Sequence, residues 1–286
     1  MRDTGTIGAV KRAIATHPFF RPLLSGWFGT RLAKQHFFRK VFWPYWSILR
    51  TGEFHNFTYE LTDASLRYLA ETISVVTAKP AHEIVGYIRE AMKDEELEAH
   101  LRLMMKSRNR SGAGQSVAMP FGRRLGWYAI ARAIKPKVIV ETGVERGHGS
   151  VLLCSALLHN KIEGFPGRYF GTDINPKAGF LLAGKYADVG KILYGDSIQS
   201  LEALTETVDL FINDSDHSDD YEAREYRVIA GKLAADAIIL GDNAHETDKL
   251  ALFASESGRR FLFFKEVPKN HWYPGAGIGI AYGLKV

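Results

Sequence analysis

Between residues 61 and 106 the apolar positions recur every three or four residues, the spacing that gathers them on one face of a helix. Leu66, Leu69, Ala70 and Ile73 make one such face, and Ile84, Tyr87, Ile88, Ala91 and Met92 make a second. Thr62 or Asp63 is a suitable N-cap for the first helix, and Lys79-Pro80 separates the two, since proline cannot continue a helix. From about Met119 the period changes. Short continuous apolar runs appear at 138–140, 169–171, 192–194, 210–212, 238–240, 261–264 and 278–282, with helical patterns such as 150–158 and 221–233 between several of them. Uninterrupted apolar runs predict strands buried on both faces, the pattern of a parallel sheet covered by helices. No convincing helix separates the last two runs, which predicts a closing hairpin with an antiparallel strand. The expected fold is α/β: a doubly wound, mostly parallel sheet over residues 118–286, preceded by a basic, aromatic and helical region over residues 1–117. The polar, glycine-containing stretch 107–116 reads as a linker or loop. Ligands of such sheets bind beyond the carboxyl ends of the strands.

Composition narrows the class. At 286 residues, 46% hydrophobic and 24% charged, the chain resembles a globular protein rather than a disordered one. Its single cysteine, Cys154, excludes internal disulfides and cysteine-ligated zinc clusters, and it fits a reducing compartment. No run approaches the roughly 18 apolar residues of a spanning helix. Arg21, Arg31, Lys34, Arg39 and Lys40 interrupt each stretch that resembles a leader, so the expected location is cytoplasmic. The net charge of +5 is unevenly spread: residues 1–50 hold nine Lys or Arg against Asp3 alone, a local +8 that leaves −3 for the remainder. Ten aromatic residues share that segment, among them Trp27, Phe42, Trp43 and Trp46. Basic and aromatic side chains so interleaved suit packing on the main domain as a substrate wall, contact between subunits of a homo-oligomer, or peripheral contact with a membrane surface. Nucleic acid is not an expected partner, because no recognised binding motif accompanies the charge.

Polar residues collect just after the strands. The first strand runs into Glu141-Thr142-Gly143-Val144-Glu145-Arg146-Gly147-His148-Gly149-Ser150, a glycine-rich turn that lets a ligand approach the backbone and a helix N-terminus. A dinucleotide fingerprint needs glycine two places after Gly143, where Glu145 stands, so the loop is a poor pyrophosphate cradle. Asp173 ends the second strand, placed to accept hydrogen bonds from ribose hydroxyls, and Asp196-Ser197 follows the third. Asp214 follows the fourth strand and Asp242-Asn243 the fifth. Two carboxylates and an amide oxygen are hard donors that suit Mg²⁺. The acidic stretch Ser218–Asp220 reads as the solvated start of a helix.

This order of motifs resembles the class I S-adenosylmethionine-dependent methyltransferases. Asp214 with Asp242-Asn243 narrows the resemblance to the divalent-metal-dependent O-methyltransferases of the catechol, caffeoyl-coenzyme A and bacterial sugar or macrolide groups. It covers residues 119–286 and implies a Rossmann-like methyltransferase sheet. It also implies a cofactor site drawn from Glu141, Gly143, Glu145, Gly147, Ser150, Asp173, Asp196, Ser197 and Asp214, and an Mg²⁺ site of Asp214, Asp242 and Asn243. The implied acceptor is a hydroxyl of a diol-like small molecule or glycan. Where the catechol and caffeoyl-coenzyme A groups have a lysine three residues after the first metal aspartate, this chain has His217, which becomes the expected general base, with Asp214 beside it in the catalytic set. His245 is the reserve base, and His148 is a cofactor-loop or surface residue. Arg123, Arg124 and Trp127 are expected on the acceptor wall, and the rings of His271-Trp272-Tyr273 either stack on the acceptor or belong to an ordinary hairpin loop. Two other functions stay open at this point: an oxygenase or hydroxylase on the same fold, with His217, His245 and Asp214 as an iron triad, and a membrane-associated binding protein without turnover.

Overall fold

The computed structural model describes residues 21–51, 56–108, 120–216, 218–242 and 244–283. They form two compact units, one holding 21–51 with His271–Tyr273 and the other 56–270 with 274–283. In the first unit, α1 (Arg21–Phe37), a π-helical turn (Phe38–Phe42) and α2 (Trp43–Thr51) follow one another. Phe38, Phe42 and Trp46 lie four residues apart and meet along one flank, with ring centroids 5.3 and 6.4 Å apart. Their side chains, with those of Phe37, Trp43 and Tyr45, are exposed. Among the described residues, no helix is long and apolar enough to cross a membrane.

The second unit opens with α3 (Asp63–Thr77), α4 (Ala81–Met92) and α5 (Glu95–Arg108). The sequence pattern places the first two correctly: Thr62 caps α3 by accepting from Ser65 N, the helix ends at left-handed Ala78, and Pro80 begins α4. These helices share a compact unit with the sheet, and that unit starts near residue 55. Most of the expected linker lies outside the described residues. Next comes α6 (Arg124–Ile134), buried from Leu125 to Ala133 and packed against α3, α4 and α7 (His148–Ile162).

The strands are β1 (Val138–Thr142), β2 (Arg168–Asp173), β3 (Gly190–Tyr194), β4 (Val208–Asn213), β5 (Leu233–Gly241), β6 (Arg260–Phe264) and β7 (Ile278–Tyr282), with α8 (Ser197–Ala203), α9 (Asp219–Ala230) and α10 (Lys249–Glu256) between them. Sheet order is β3-β2-β1-β4-β5-β7-β6. The first five strands are parallel, and β7 runs antiparallel between β5 and β6. This is the doubly wound α/β sheet with an antiparallel C-terminal strand that the apolar runs predict. Every residue of β1 is buried, as central parallel strands require. One helix layer rests on Val138, Val140, Phe170, Phe211 and Ile239 through Tyr226, Ile229, Leu250 and Phe253. One predicted boundary shifts: the helix expected to reach Leu233 stops at Ala230, and Leu233 opens β5.

Candidate active site at the carboxyl ends of the strands

Backbone hydrogen bonds fix the spacing of the strand ends. Gly195 N donates to Asp173 O (3.0 Å), Gly143 N to Thr172 O (2.9 Å), Asp214 N to Thr142 O (2.9 Å) and Asp242 N to Asn213 O (3.0 Å). Each loop therefore leaves the sheet still in register with its neighbour. Gly143 has φ +77°, and a Cβ there would lie 2.0 Å from the carbonyl oxygen of Asp214, so only glycine lets the loops after β1 and β4 touch.

Gly143, Glu145, Gly147 and Asp173 are brought together. Asp173 accepts Glu145 N at one carboxylate oxygen (2.9 Å) and Asn175 N at the other (2.8 Å). Glu145 holds a left-handed backbone, φ +48°. The loops after β1 and β2 are further joined by Gly179 N to Glu145 O (2.7 Å) and Leu181 N to Arg146 O (3.1 Å). A carboxylate oxygen carries more than one lone pair, so Asp173 keeps capacity for hydroxyl donors. Asp196 caps α8 through Gln199 N (3.0 Å) and accepts from the Tyr221 hydroxyl (3.2 Å), which also meets Ser197 Oγ (2.8 Å).

Glu141 and Ser150 turn inward. The Tyr169 hydroxyl donates to the Glu141 carboxylate and lies 2.7 Å from Ser150 Oγ. Burial pushes the Glu141 carboxyl up to about 7. His148 is also buried, and burial drives its pKa down to about 3, keeping it neutral. Its ring stacks on Phe57, with centroids 6.1 Å apart, and Arg146 lies over that same Phe57 ring.

On the other side stand Asp214 and Asp242. Arg123 grips Asp242 with two parallel bonds, Nε to Oδ1 and Nη2 to Oδ2, both 2.5 Å. This pairing holds the Asp242 carboxyl down at about 2, whereas burial and the neighbouring Asp242 push Asp214 well above the usual carboxylate range. Arg123 Nη1 also donates to the Tyr59 hydroxyl (2.9 Å) and lies 3.4 Å from Glu266 Oε1. Tyr59 in turn donates to Glu266 (2.8 Å), a fully buried carboxylate. Arg124 Nη2 is 3.9 Å from Asp214 Oδ2, and its guanidinium lies over the Trp127 ring.

Both oxygens of Asp242 thus serve a guanidinium, so the donor set does not fit Mg²⁺ as arranged. His217 and Asn243 lie outside the described residues. Among those described, no group of three or more His, Cys, Asp or Glu could hold a metal ion; the expected iron triad includes His217 and so lies partly outside the described residues. His245 Nδ1 lies 3.2 Å from Asp242 O and Nε2 3.3 Å from Glu246 Oε1. The His271-Trp272-Tyr273 rings belong to the unit that holds 21–51.

Sequence reasoning misses Glu225. This buried carboxylate accepts from Thr142 Oγ1 (3.0 Å), Ser215 Oγ (2.8 Å), Ser197 Oγ and Asn213 Nδ2, tying β1, β4 and α8 together. The signal was present, since Glu222, Glu225, Tyr226 and Ile229 share a helical face. An acidic helix reads as solvated until its partners are known.

Residues 140–244 match a family described as "Methyltransferase domain". No curated protein sequence matches the chain. Similar solved structures include the methyltransferase PaMTH1 of Podospora anserina bound to SAH (19% identity, 66% of this chain and 88% of that one, TM-score 0.46). They also include an O-methyltransferase of Bacillus cereus with SAH (14%, 77% and 99%, 0.48) and the O-methyltransferase TomG of Streptomyces achromogenes with SAM (17%, 66% and 90%, 0.46).

Proposed function

We propose that this chain, whose residues 140–244 match a methyltransferase-domain family, is an S-adenosylmethionine-dependent O-methyltransferase acting on a hydroxyl of a diol-like small molecule, a sugar or a natural product. The observation that carries the reading is the clasp in which Asp173 holds the Glu145 backbone beside the Gly143 turn. It leaves a carboxylate at the tip of the second strand for ribose hydroxyls and a side-chain-free backbone for the methionine end. Asp196 and Ser197, backed by Tyr221, border the adenine side.

S-adenosylmethionine supplies an electrophilic methyl group, whose C–S bond breaks with the electron pair kept by sulfur as the acceptor oxygen forms the new O–C bond. The chain's work is orientation, charge and proton removal. Asp214 accepts the acceptor's hydroxyl, Arg124 donates to its neighbouring oxygen, and His217, three residues beyond Asp214, takes the proton; a histidine does this near neutral pH without a large pKa perturbation. No step is assigned to a metal, because Arg123 holds both Asp242 oxygens.

Calorimetric titration with S-adenosylmethionine tests the reading. Stoichiometric binding is expected, weakened at least about tenfold by Asp173→Ala through loss of charge-assisted hydrogen bonds. Absence of binding to the wild type, or unchanged binding to the variant, overturns it. The exposed aromatic side chains and basic charge of the N-terminal segment favour a second role, peripheral contact with an anionic membrane surface.

A further inference from the structure

The Mg²⁺ site expected from the sequence and the Arg123 guanidinium compete for the same two oxygens. Mg²⁺ needs oxygen donors at about 2.0–2.1 Å in near-octahedral array, and Asp242 already spends both oxygens on Arg123 at 2.5 Å. Arg123 is not a surface side chain that could swing aside. It is 5% exposed, and its receptor is built from separate parts of the chain: Tyr59 ahead of α3, Asp242 after β5 and Glu266 after β6. Glu266 is itself fixed by Tyr59 (2.8 Å) and by Ala276 N (2.9 Å). Pulling Asp242 away toward a metal would strand a buried guanidinium, a costly state. The second carboxylate, Asp214, also has a cation within reach, Arg124 at 3.9 Å. Two carboxylates already faced by two guanidinium groups gain little from a divalent ion.

We infer that Arg123 and Arg124 take the place of the divalent cation, so that this chain positions its acceptor by arginine and transfers the methyl group without a metal. The inference rests on the methyltransferase reading above. Arg123 is the fixed member, neutralising Asp242. Arg124 is the member with bonding capacity to spare: its buried Nε has no hydrogen-bond partner, and its Nη1 makes only a long 3.3 Å contact with Phe57 O. A hydroxyl pair would then be held between the Arg124 donor and the Asp214 acceptor rather than chelated. The reaction balances without a metal: the acceptor O–H breaks, the O–CH₃ bond forms, the sulfonium departs as a neutral thioether, and the proton goes to His217.

The test uses the full chain, dialysed against EDTA, and reads Mn²⁺ binding from loss of the free-ion paramagnetic resonance signal, with S-adenosylmethionine binding measured calorimetrically in parallel. The expected result is cofactor binding that Mg²⁺ leaves unchanged, with no stoichiometric Mn²⁺ binding at concentrations up to about 1 mM. Arg123→Ala, which frees both Asp242 oxygens, is expected to gain Mn²⁺ affinity at least about tenfold, an outcome that a merely structural arginine would not give. Stoichiometric Mn²⁺ binding by the wild type, lost in Asp242→Asn, overturns the inference, as does a folded Arg123→Ala that gains no Mn²⁺ affinity. If that variant does not fold, the wild-type titration decides alone. Failure to bind S-adenosylmethionine would count against the methyltransferase reading and not against the arginine-for-metal replacement, which the Mn²⁺ arm reads separately.

Discussion

Substituting Glu141 by Gln separates the cost of burying a carboxylate from the worth of its hydrogen bonds. Glu141 is 1% exposed, and burial raises its carboxyl from 4.5 to about 7. The folded protein therefore keeps a proton that the unfolded chain releases near pH 4.5. Below that pH both states are protonated and the contribution to stability is complete. As the pH rises from 4.5 to 7 the unfolded chain has released the proton that the folded protein still holds, so stability falls, and the loss is complete once the folded protein releases it as well. At about 1.36 kcal/mol per pH unit, the interval from 4.5 to 7 is worth roughly 3 kcal/mol. Glutamine keeps an oxygen for the Tyr169 hydroxyl and offers Ser150 an amide, without charge at any pH. Urea unfolding followed by tryptophan fluorescence should find the two proteins alike near pH 5 and the variant more stable by up to roughly 3 kcal/mol at about pH 8.5. If the variant's stability curve runs parallel to the wild type's across that range, Glu141 titrates as an ordinary carboxylate and the reasoning fails.

Other expectations follow from the same geometry. Gly143→Ala must place a Cβ against the Asp214 carbonyl at positive φ; it should lower the urea midpoint by the equivalent of about 2 kcal/mol or more and abolish calorimetric cofactor binding. Glu225→Ala unties four donors on β1, β4 and α8 and should cost on the order of 3 kcal/mol in denaturant unfolding, and a loss below about 1 kcal/mol would contradict its role as a hub. The intact protein should co-sediment with anionic vesicles at low salt and release as salt rises, while a chain lacking residues 1–50 stays in the supernatant; equal behaviour of the two would remove the membrane role.

What the sequence made legible follows from how far each signal reaches. Strands β1 and β4 are continuous apolar runs, and α3 carries its own cap and stop, so their periodicity alone specifies them. The gathering of Gly143, Asp173 and Asp196 at one edge of the sheet was legible because the strand ends recur in one order: each comes just after an apolar run, and parallel topology does the rest. The inward turn of Glu141 was not legible, because alternation along β1 is masked where both faces are buried. Nor was the Arg123 receptor. Tyr59, Arg123, Asp242 and Glu266 are scattered over more than 200 positions, and nothing local distinguishes an arginine beside a sheet from one that fills an ion's place.

The backbone bonds that step from β3 to β2 to β1 to β4 to β5 at the strand ends divide each loop into two zones. Up to Gly143, Asp173, Gly195, Asp214 and Asp242 the main chain is committed to its neighbour, so an insertion there would displace several carboxylates at once. Beyond those residues the loops after β1 and β2 stay joined to each other through Glu145 with Gly179 and Arg146 with Leu181. Divergence or engineering that reshapes the rim must therefore change those two loops as a pair, whereas the distal halves of the loops after β4 and β5 can be lengthened, shortened or grafted above the shared platform.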